Sequence, residues 1–152
     1  MLSSQFLQNN SHVIENVLEH RFLYELSCDL LLRPIPVILD ISRAEVDRQG
    51  IDLVVSAATT TYTLQLKARS NAPAPTSYDI SESLLLAPGG CVLWMIYDPA
   101  TLIPTFYYLL GKPMLPLASF RAAKRPGYRR VWTRNAQHKG LTLAALSLLL
   151  FP

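Results

Sequence analysis

Two short groups of residues in the first half of the chain combine side chains that could cleave a phosphodiester. Gly50-Ile51-Asp52 lies at the end of one apolar run, and Gln65-Leu66-Lys67 follows within the next run, thirteen positions after Asp52. Both runs have the composition of β-strands. Phosphodiester hydrolysis needs a divalent cation that neutralises developing charge and lowers the pKa of the attacking water. An acid at the end of one strand, followed on the next by a polar residue and a lysine, predicts such a site.

A long amphipathic helix is predicted before these strands. Apolar residues recur at helical spacing between Ser11 and Arg33, with Asn10 or Ser11 as the N-cap and Pro34 as the end. Glu15 and Glu19 are four positions apart and therefore share one face of this helix.

Strands and turns follow this helix in alternation. Strands are expected over residues 36–41, 51–57, 61–68, 91–97 and 103–110, and the third of them alternates strictly between apolar and polar residues. A charged connection is predicted over 42–50, a proline-containing loop over 70–77, and a second helix from Thr76 or Ser77 to about Ala87. Beyond Pro116 we expect a short helix over 117–124, a strand over 128–133 and a final helix from Leu141.

Length and composition favour one globular domain. The 152 residues are 50% hydrophobic, enough for a sizeable core. The first residues lack a charged leader, and the run from Leu141 to Phe151 is too short to span a bilayer, so we expect a cytoplasmic protein without membrane contact. Cys28 and Cys91 are isolated in apolar sequence and are expected to be buried, reduced thiols.

Charge is distributed unevenly along the chain. All eleven carboxylates lie at or before Asp98, and eight cations with no acid follow it. Such a cluster attracts nucleic acid through counterion release, and aromatic residues among the cations can stack on bases or sugars. The alternative is a solvated surface hairpin. The predicted nucleic-acid-binding residues are Arg121, Lys124, Arg125, Arg129, Arg130 and Arg134.

The order of helix, three strands, helix and two strands resembles the core of the PD-(D/E)XK, or restriction-endonuclease-like, nuclease superfamily. Asp52 matches the superfamily's acid on the second strand, and Gln65 and Lys67 match the acid-x-lysine of the third. Gln65 replaces the usual glutamate, as in branches that resemble the Mrr-type restriction enzymes. The resemblance spans roughly residues 11–110 and extends to Tyr97-Asp98-Pro99 and Phe106-Tyr107-Tyr108, as in an uncharacterised bacterial branch.

This resemblance implies an α/β fold with an αβββαβ core and a central mixed sheet flanked by helices. Residues 1–152 would form one nuclease-like domain, with the core over about 11–110 and a basic region over 111–152. The implied catalytic residues are Asp52, Gln65, Lys67, Glu19 and Glu15. A Mg²⁺ or Mn²⁺ ion would be held by Asp52, Gln65, the backbone carbonyl of Leu66 and Glu19.

The helix glutamates have an alternative interpretation. Superfamily members commonly add a glutamate from the first helix, and a carboxylate on a core-facing stripe is costly unless it meets a metal or a partner. Glu19 is the first choice, Glu15 the second and Glu25 the third. A solvated glutamate on the helix surface is the other interpretation of each.

Three functions fit these observations. The first is a metal-dependent DNA endonuclease or DNA-processing phosphodiesterase, for which cutting both strands would usually require a homodimer. The second is a catalytically degenerate nuclease fold that binds nucleic acid. The third is a protein-interaction module that self-associates through the aromatic strand or the apolar C-terminal segment.

Overall fold

The fold combines helices with two β-sheets. The computed structural model describes residues 4–43, 50–70 and 76–152, so residues 44–49 and 71–75, the central parts of the connections predicted over 42–50 and 70–77, lie outside the described residues. The helices are α1 (Ser4–Asn9), α2 (Ser11–Leu31), α3 (Glu82–Leu86) and α4 (Leu143–Leu150). The strands are β1 (Leu39–Arg43), β2 (Leu53–Ala57), β3 (Thr60–Ser70), β4 (Ser77–Ser81), β5 (Gly90–Asp98), β6 (Ile103–Leu110), β7 (Arg121–Ala122), β8 (Tyr128–Trp132) and β9 (His138–Leu141).

The larger sheet is mixed, with the strand order β1-β2-β3-β5-β6-β9. β3 and β5 run parallel, and every other neighbouring pair in this sheet is antiparallel. The parallel pair requires a crossover, which the segment containing β4 and α3 supplies. The protein is therefore a mixed α/β fold, as the sequence predicts at this level.

Alternation in the strands divides the core into two layers. Leu64 and Leu66 of β3 pack under α2 and α4, in a cluster that includes Leu18, Phe22 and Leu146. The opposite face of the larger sheet is covered by α3 and the smaller sheet. Because both faces of β5 are covered, all its residues except Asp98 are buried, as expected for its continuous apolar sequence.

The smaller sheet has the strand order β4-β8-β7 and is antiparallel throughout. Its first strand corrects the predicted helix over residues 76–87, because Ser77–Ser81 is a strand and only Glu82–Leu86 is helical. Tyr78 and Ile80 alternate toward the second core layer, where Tyr78 packs against Trp94 with ring centroids 6.5 Å apart. The Ser81 hydroxyl then caps α3 by accepting a hydrogen bond from the Ser83 N–H, 3.2 Å away.

Other boundaries also differ from the prediction. The expected helix over 117–124 is wrong, since only Leu117–Ser119 forms a turn of 3-10 helix and Arg121–Ala122 is a strand. α1 and β9 are additional elements. The expected strand over 36–41 begins later, at Leu39, and lies exposed at the sheet edge. α2, β3, β5, β6 and β8 lie close to their predicted positions.

The last helix completes the first core layer. Leu146 and Leu150 of α4 are fully buried, and the Phe151 ring packs edge-on against Tyr62 with centroids 5.6 Å apart. The Arg33 guanidinium donates to the carbonyl of Phe151 and to the hydroxyl of Ser147. These contacts fasten α4 to the end of α2.

Burial of the two cysteines differs. Burial raises the pKa of the Cys91 thiol to about 12, as expected for an inert core position, whereas Cys28 is only half-buried. None of the helices within the described ranges is long and apolar enough to cross a bilayer.

Candidate active site

The point at which β2 stops pairing with β3 fixes the position of Asp52. The β2–β3 ladder includes the pair Leu53 and Leu64, and just before it the Asp52 N–H donates to the Leu64 carbonyl at 3.0 Å. Two residues farther along β3, the Leu66 N–H donates to Oδ2 of Asp52 at 2.6 Å. The carboxylate therefore replaces the missing strand partner, and a hydrogen bond to a charged acceptor holds it there.

The same geometry directs the Leu66 carbonyl toward Asp52. A strand residue that bonds a neighbour with its N–H turns its C=O to the same side. The Leu66 N–H and carbonyl therefore both point to the opening that β2 leaves. The Leu66 carbonyl and the Asp52 carboxylate are thus on the same side of β3 at this sheet opening.

A cleft of about 330 Å³ extends from this opening to α2. It brings together Asp52 and Lys67 from the sheet and Glu15 and Glu19 from the helix, which are four of the five predicted catalytic side chains. Its lining residues are Glu15, Asn16, Glu19, Arg43, Ile51, Asp52, Leu66, Lys67 and Met95. The structure thus places these four residues around one cleft, whereas their catalytic roles stay a prediction.

Gln65 is close by but is not among the cleft-lining residues. It is only 7% exposed and projects to the face of β3 opposite Leu66. Gly50, at φ +64°, lies directly over its amide, because a Cβ at that glycine would be 3.1 Å from Nε2 of Gln65. Among the described residues, Oε1 of Gln65 has no hydrogen-bond partner. Burying an amide oxygen without a partner costs free energy, so this atom is a candidate for a ligand contact.

The two helix glutamates have different environments. Glu19 forms an ion pair with Arg43 of β1, with 2.9 Å between Oε1 and Nη2, and the same nitrogen lies 3.1 Å from Nε2 of His20. The charge of Glu15 acts on two phenols. Burial raises the pKa of Tyr78 and of Tyr97, and the Glu15 carboxylate raises both further.

Sequence reasoning missed Arg43. It lies at the far end of an edge strand, 24 positions from Glu19, and no local pattern marks it as a partner of the helix. Arg43 is the second cation, after Lys67, among the residues that line the cleft. The cleft therefore contains three carboxylates and two cations, a mixture that suits an anionic substrate held together with a metal ion.

The oxygen donors at this opening fit a hard divalent cation. Asp52 supplies a carboxylate, Leu66 a carbonyl, and Glu15 a second carboxylate on the cleft wall, while the buried Oε1 of Gln65 has no partner. Across residues 4–43, 50–70 and 76–152, no cluster of three or more His, Cys, Asp or Glu side chains is positioned to hold a metal ion. Amide and carbonyl oxygens would therefore have to complete the ligand set.

The basic region belongs to the folded body of the protein. Nε of Arg129 lies 2.7 Å from Oε1 of Glu82, and Arg130 makes a bidentate pair with Asp79 at 2.7 and 3.1 Å. The hydrogen bond to Asp79 raises the pKa of Arg130. Acids that are absent from the basic segment of sequence are thus brought to it by β4 and α3, and both arginines tie β8 to those elements.

The other predicted nucleic-acid-binding cations remain on the surface. Arg121, Lys124, Arg125 and Arg134 are exposed. Lys112, outside that predicted set, donates to the carbonyls of Leu149 and Leu150 at the end of α4, where a cation is favourable.

No protein-family model and no curated protein matches the chain. The function is therefore inferred from the geometry of the site.

Proposed function

We propose that this protein is a metal-dependent DNA endonuclease, or DNA-processing phosphodiesterase, of the PD-(D/E)XK type. The observation that carries the proposal is the meeting of Asp52, Lys67 and the α2 glutamates in one cleft where β2 leaves β3. The order α2, β1, β2, β3, α3, β5 also agrees with the proposed αβββαβ core, once β4 is treated as an insertion. The pairs β1–β2 and β2–β3 are antiparallel and the pair β3–β5 is parallel, and the parallel pair requires the crossover that contains α3.

In this proposal Asp52, the Leu66 carbonyl, Gln65 and Glu15 or Glu19 hold Mg²⁺ or Mn²⁺. When bound, the ion neutralises charge on the phosphate and lowers the pKa of a water ligand. The Leu66 N–H keeps the Asp52 carboxylate in place before substrate arrives. The Lys67 ammonium donates to a non-bridging phosphate oxygen or to the attacking water, which stabilises the charge that develops in the transition state.

The second candidate is a degenerate nuclease fold that binds nucleic acid without cutting it. It is favoured by two contacts within the site. The Gln65 amide lies under Gly50 and away from the cleft wall, and Arg43 already neutralises Glu19. A site with fewer available carboxylates binds a divalent cation less tightly.

Cleavage of supercoiled plasmid with Mg²⁺ or Mn²⁺ distinguishes the two candidates. The wild-type protein should nick or linearise the plasmid, and Lys67→Ala should slow cutting at least 100-fold while DNA binding persists. Arg21→Gln removes a cation from α2 that is paired with Glu25 and lies outside the cleft lining, and this variant should cut normally. Linear product without accumulated nicked circles would indicate that a homodimer cuts both strands.

Cutting that persists in both Lys67→Ala and Asp52→Ala would refute the endonuclease proposal. Salt-sensitive DNA binding with no metal-dependent product in the wild type would support the degenerate fold. Loss of that binding in Arg129→Ala would be ambiguous, because this arginine also forms an ion pair with Glu82. Arg121→Ala is the sharper variant, since Arg121 is exposed.

A further inference from the structure

The smaller sheet presents a second surface, directed away from the core. Alternation along β8 places Tyr128, Arg130 and Trp132 on one face, while Val131 is fully buried on the other. Arg121 of β7 is directly opposite Arg130 and therefore shares its face. We call this set, with the neighbouring turn, the outer face of the smaller sheet.

Two guanidinium groups hold the aromatic rings of this face. The Arg125 guanidinium lies 4.0 Å from the centroid of the Tyr128 ring, and that of Arg134 lies 4.9 Å from the Trp132 ring. Each contact is within cation–π distance and restricts the ring's orientation. The rings are partly exposed, so these arginines cover them only in part.

A cavity of about 330 Å³ lies beside Trp132. This volume is at the lower end of the range for small-ligand sites, so it suits a small planar group such as one nucleobase. The cavity offers a flat aromatic wall together with cations. Its lining residues are Arg121, Ala122, Ala123, Lys124, Arg130 and Trp132.

The charge of the outer face is strongly positive. Five cations lie on or beside it, namely Arg121, Lys124, Arg125, Arg130 and Arg134. Within the described residues of this sheet, Asp79 is the carboxylate on the same face. Asp79 is already bound by Arg130. The remaining four cations give this face a field that attracts phosphate.

We propose that the outer face of the smaller sheet binds single-stranded DNA. Bases stack on the Trp132 and Tyr128 rings, and phosphates contact Arg121 and Lys124. Partly exposed rings interleaved with cations favour single strands, because a duplex hides the faces of its bases. The two rings are four positions apart on β8, about 13 Å at the usual rise per strand residue, which spans about four stacked nucleotides.

The choice of DNA rests on the proposed function and narrows its substrate class. A nuclease with this surface acts on DNA that contains a single-stranded segment, such as a flap, gap or fork. The stacking surface holds the unpaired strand, while the cleft at Asp52 and Lys67 meets the phosphodiester to be cut.

Tryptophan fluorescence tests the proposal directly. The chain has two tryptophans, and Trp94 is 0% exposed, so quenching by added DNA reports on Trp132. Titration with a 15-nucleotide oligo(dT) in EDTA should quench the emission in a saturable way, and a hairpin duplex of equal length should quench it much less. Trp132→Phe should abolish the signal yet keep affinity for labelled oligo(dT), measured by anisotropy. Trp132→Leu should weaken that affinity about tenfold or more.

Matched variants separate stacking from charge. Arg121→Ala should reduce the slope of log affinity against log salt concentration by nearly one. The control Arg21→Gln removes a cation from α2, on the other side of the larger sheet, and should change neither the affinity nor this slope. Circular dichroism of Trp132→Leu checks that its fold is retained, and Tyr128→Leu provides a second stacking variant. Equal affinity for duplex and oligo(dT), or unchanged affinity in both stacking variants, would overturn the proposal.

An RNA control and the plasmid assay complete the test. Tighter binding to oligo(U) than to oligo(dT) would overturn DNA as the ligand. Because binding is measured in EDTA, its outcome is independent of cleavage. Oligo(dT) binding without metal-dependent cutting of either the plasmid or a duplex that carries a single-stranded flap would support this surface and reject the nuclease proposal. Cutting of either substrate without tryptophan quenching would reject this surface and support the nuclease proposal.

Discussion

Replacing Gln65 with glutamate tests whether its buried amide oxygen belongs to a cation site. The substitution keeps the shape of the side chain and exchanges a neutral amide for a carboxylate. At this position the carboxylate would be 7% exposed, under Gly50 and one residue from the Leu66 N–H that Asp52 already occupies. Without a cation, burial and the neighbouring Asp52 both disfavour its charged form.

The expected penalty follows from the burial. Groups buried to this degree show pKa shifts of roughly 3 units, and each unit corresponds to about 1.36 kcal/mol, so Gln65→Glu should lose roughly 4 kcal/mol of unfolding free energy at pH 8 in EDTA. The folded-state pKa of the new carboxyl is raised above its unfolded value of about 4.3. The loss is therefore absent below pH 4, grows as pH rises through about 4.3 to 7, and is constant above.

Urea unfolding at pH 4, 6 and 8, with EDTA or with Mg²⁺, measures this loss. A cation that binds the folded state at 100 times its dissociation constant returns about 2.7 kcal/mol. Mg²⁺ should therefore stabilise Gln65→Glu strongly and the wild type only weakly. Gln5→Glu adds the same charge at an exposed position of α1 and should show neither effect.

Two results would refute this reasoning about Gln65. Equal stability of Gln65→Glu and wild type at pH 8 in EDTA would mean that the buried amide position tolerates charge without a cation. Equal stabilisation of both proteins by Mg²⁺ would place the ion elsewhere. In the plasmid assay, Gln65→Glu should also raise the cutting rate at limiting Mg²⁺, because it restores a carboxylate to the ligand set.

Two further predictions concern the scaffold. The hydroxyl of Tyr107 is buried without a hydrogen-bond partner among the described residues. Calorimetry of Tyr107→Phe should therefore show an unfolding free energy higher by about 1 kcal/mol and a Tm higher by roughly 2–4 °C. A loss of stability would mean that the hydroxyl is hydrogen-bonded. Gly89 has φ +67° and its Cβ would lie 2.5 Å from the Thr61 carbonyl oxygen, whereas Gly127 has φ +75° with nothing within 4 Å. Gly127→Ala should cost about 1 kcal/mol of strain in urea unfolding, Gly89→Ala should cost about 1–3 kcal/mol more, and equal losses would contradict the contact at Thr61.

The predictable part of the site comes from one strand. Strict alternation along β3 places Lys67 on the face of the strand opposite Leu64 and Leu66. Asp52 follows Gly50 and directly precedes the neighbouring strand β2. These are local relationships, which sequence periodicity records. The pairing of Glu19 with Arg43 is a contact between a helix and an edge strand, so no local pattern contains it.

The difference between local patterns and long-range contacts also explains why the helix predicted over residues 76–87 is wrong. Residues 76–87 contain a cap and apolar positions, and Pro88-Gly89-Gly90 follows them, all of which suit a helix that ends at about Ala87. The strand Ser77–Ser81 forms because β8, about 50 residues later, supplies its hydrogen bonds and because Tyr78 and Ile80 reach the second core layer. Tertiary pairing therefore overrides local propensity here. The sequence predicts the basic segment, but the ion pairs of this segment with Asp79 and Glu82 depend on the pairing of β8 with β4.

The position of α4 has a consequence for how the chain is made. Its buried residues close a core layer whose other buried members, apart from Phe151, lie between Ile14 and Leu109. During synthesis those members leave the ribosome first, and Tyr62 meets the ring of Phe151 only after some ninety further residues have been added. Until then the nascent chain exposes the apolar surface that α4 will cover. Release before Leu143 would leave that surface open to chaperones and proteases.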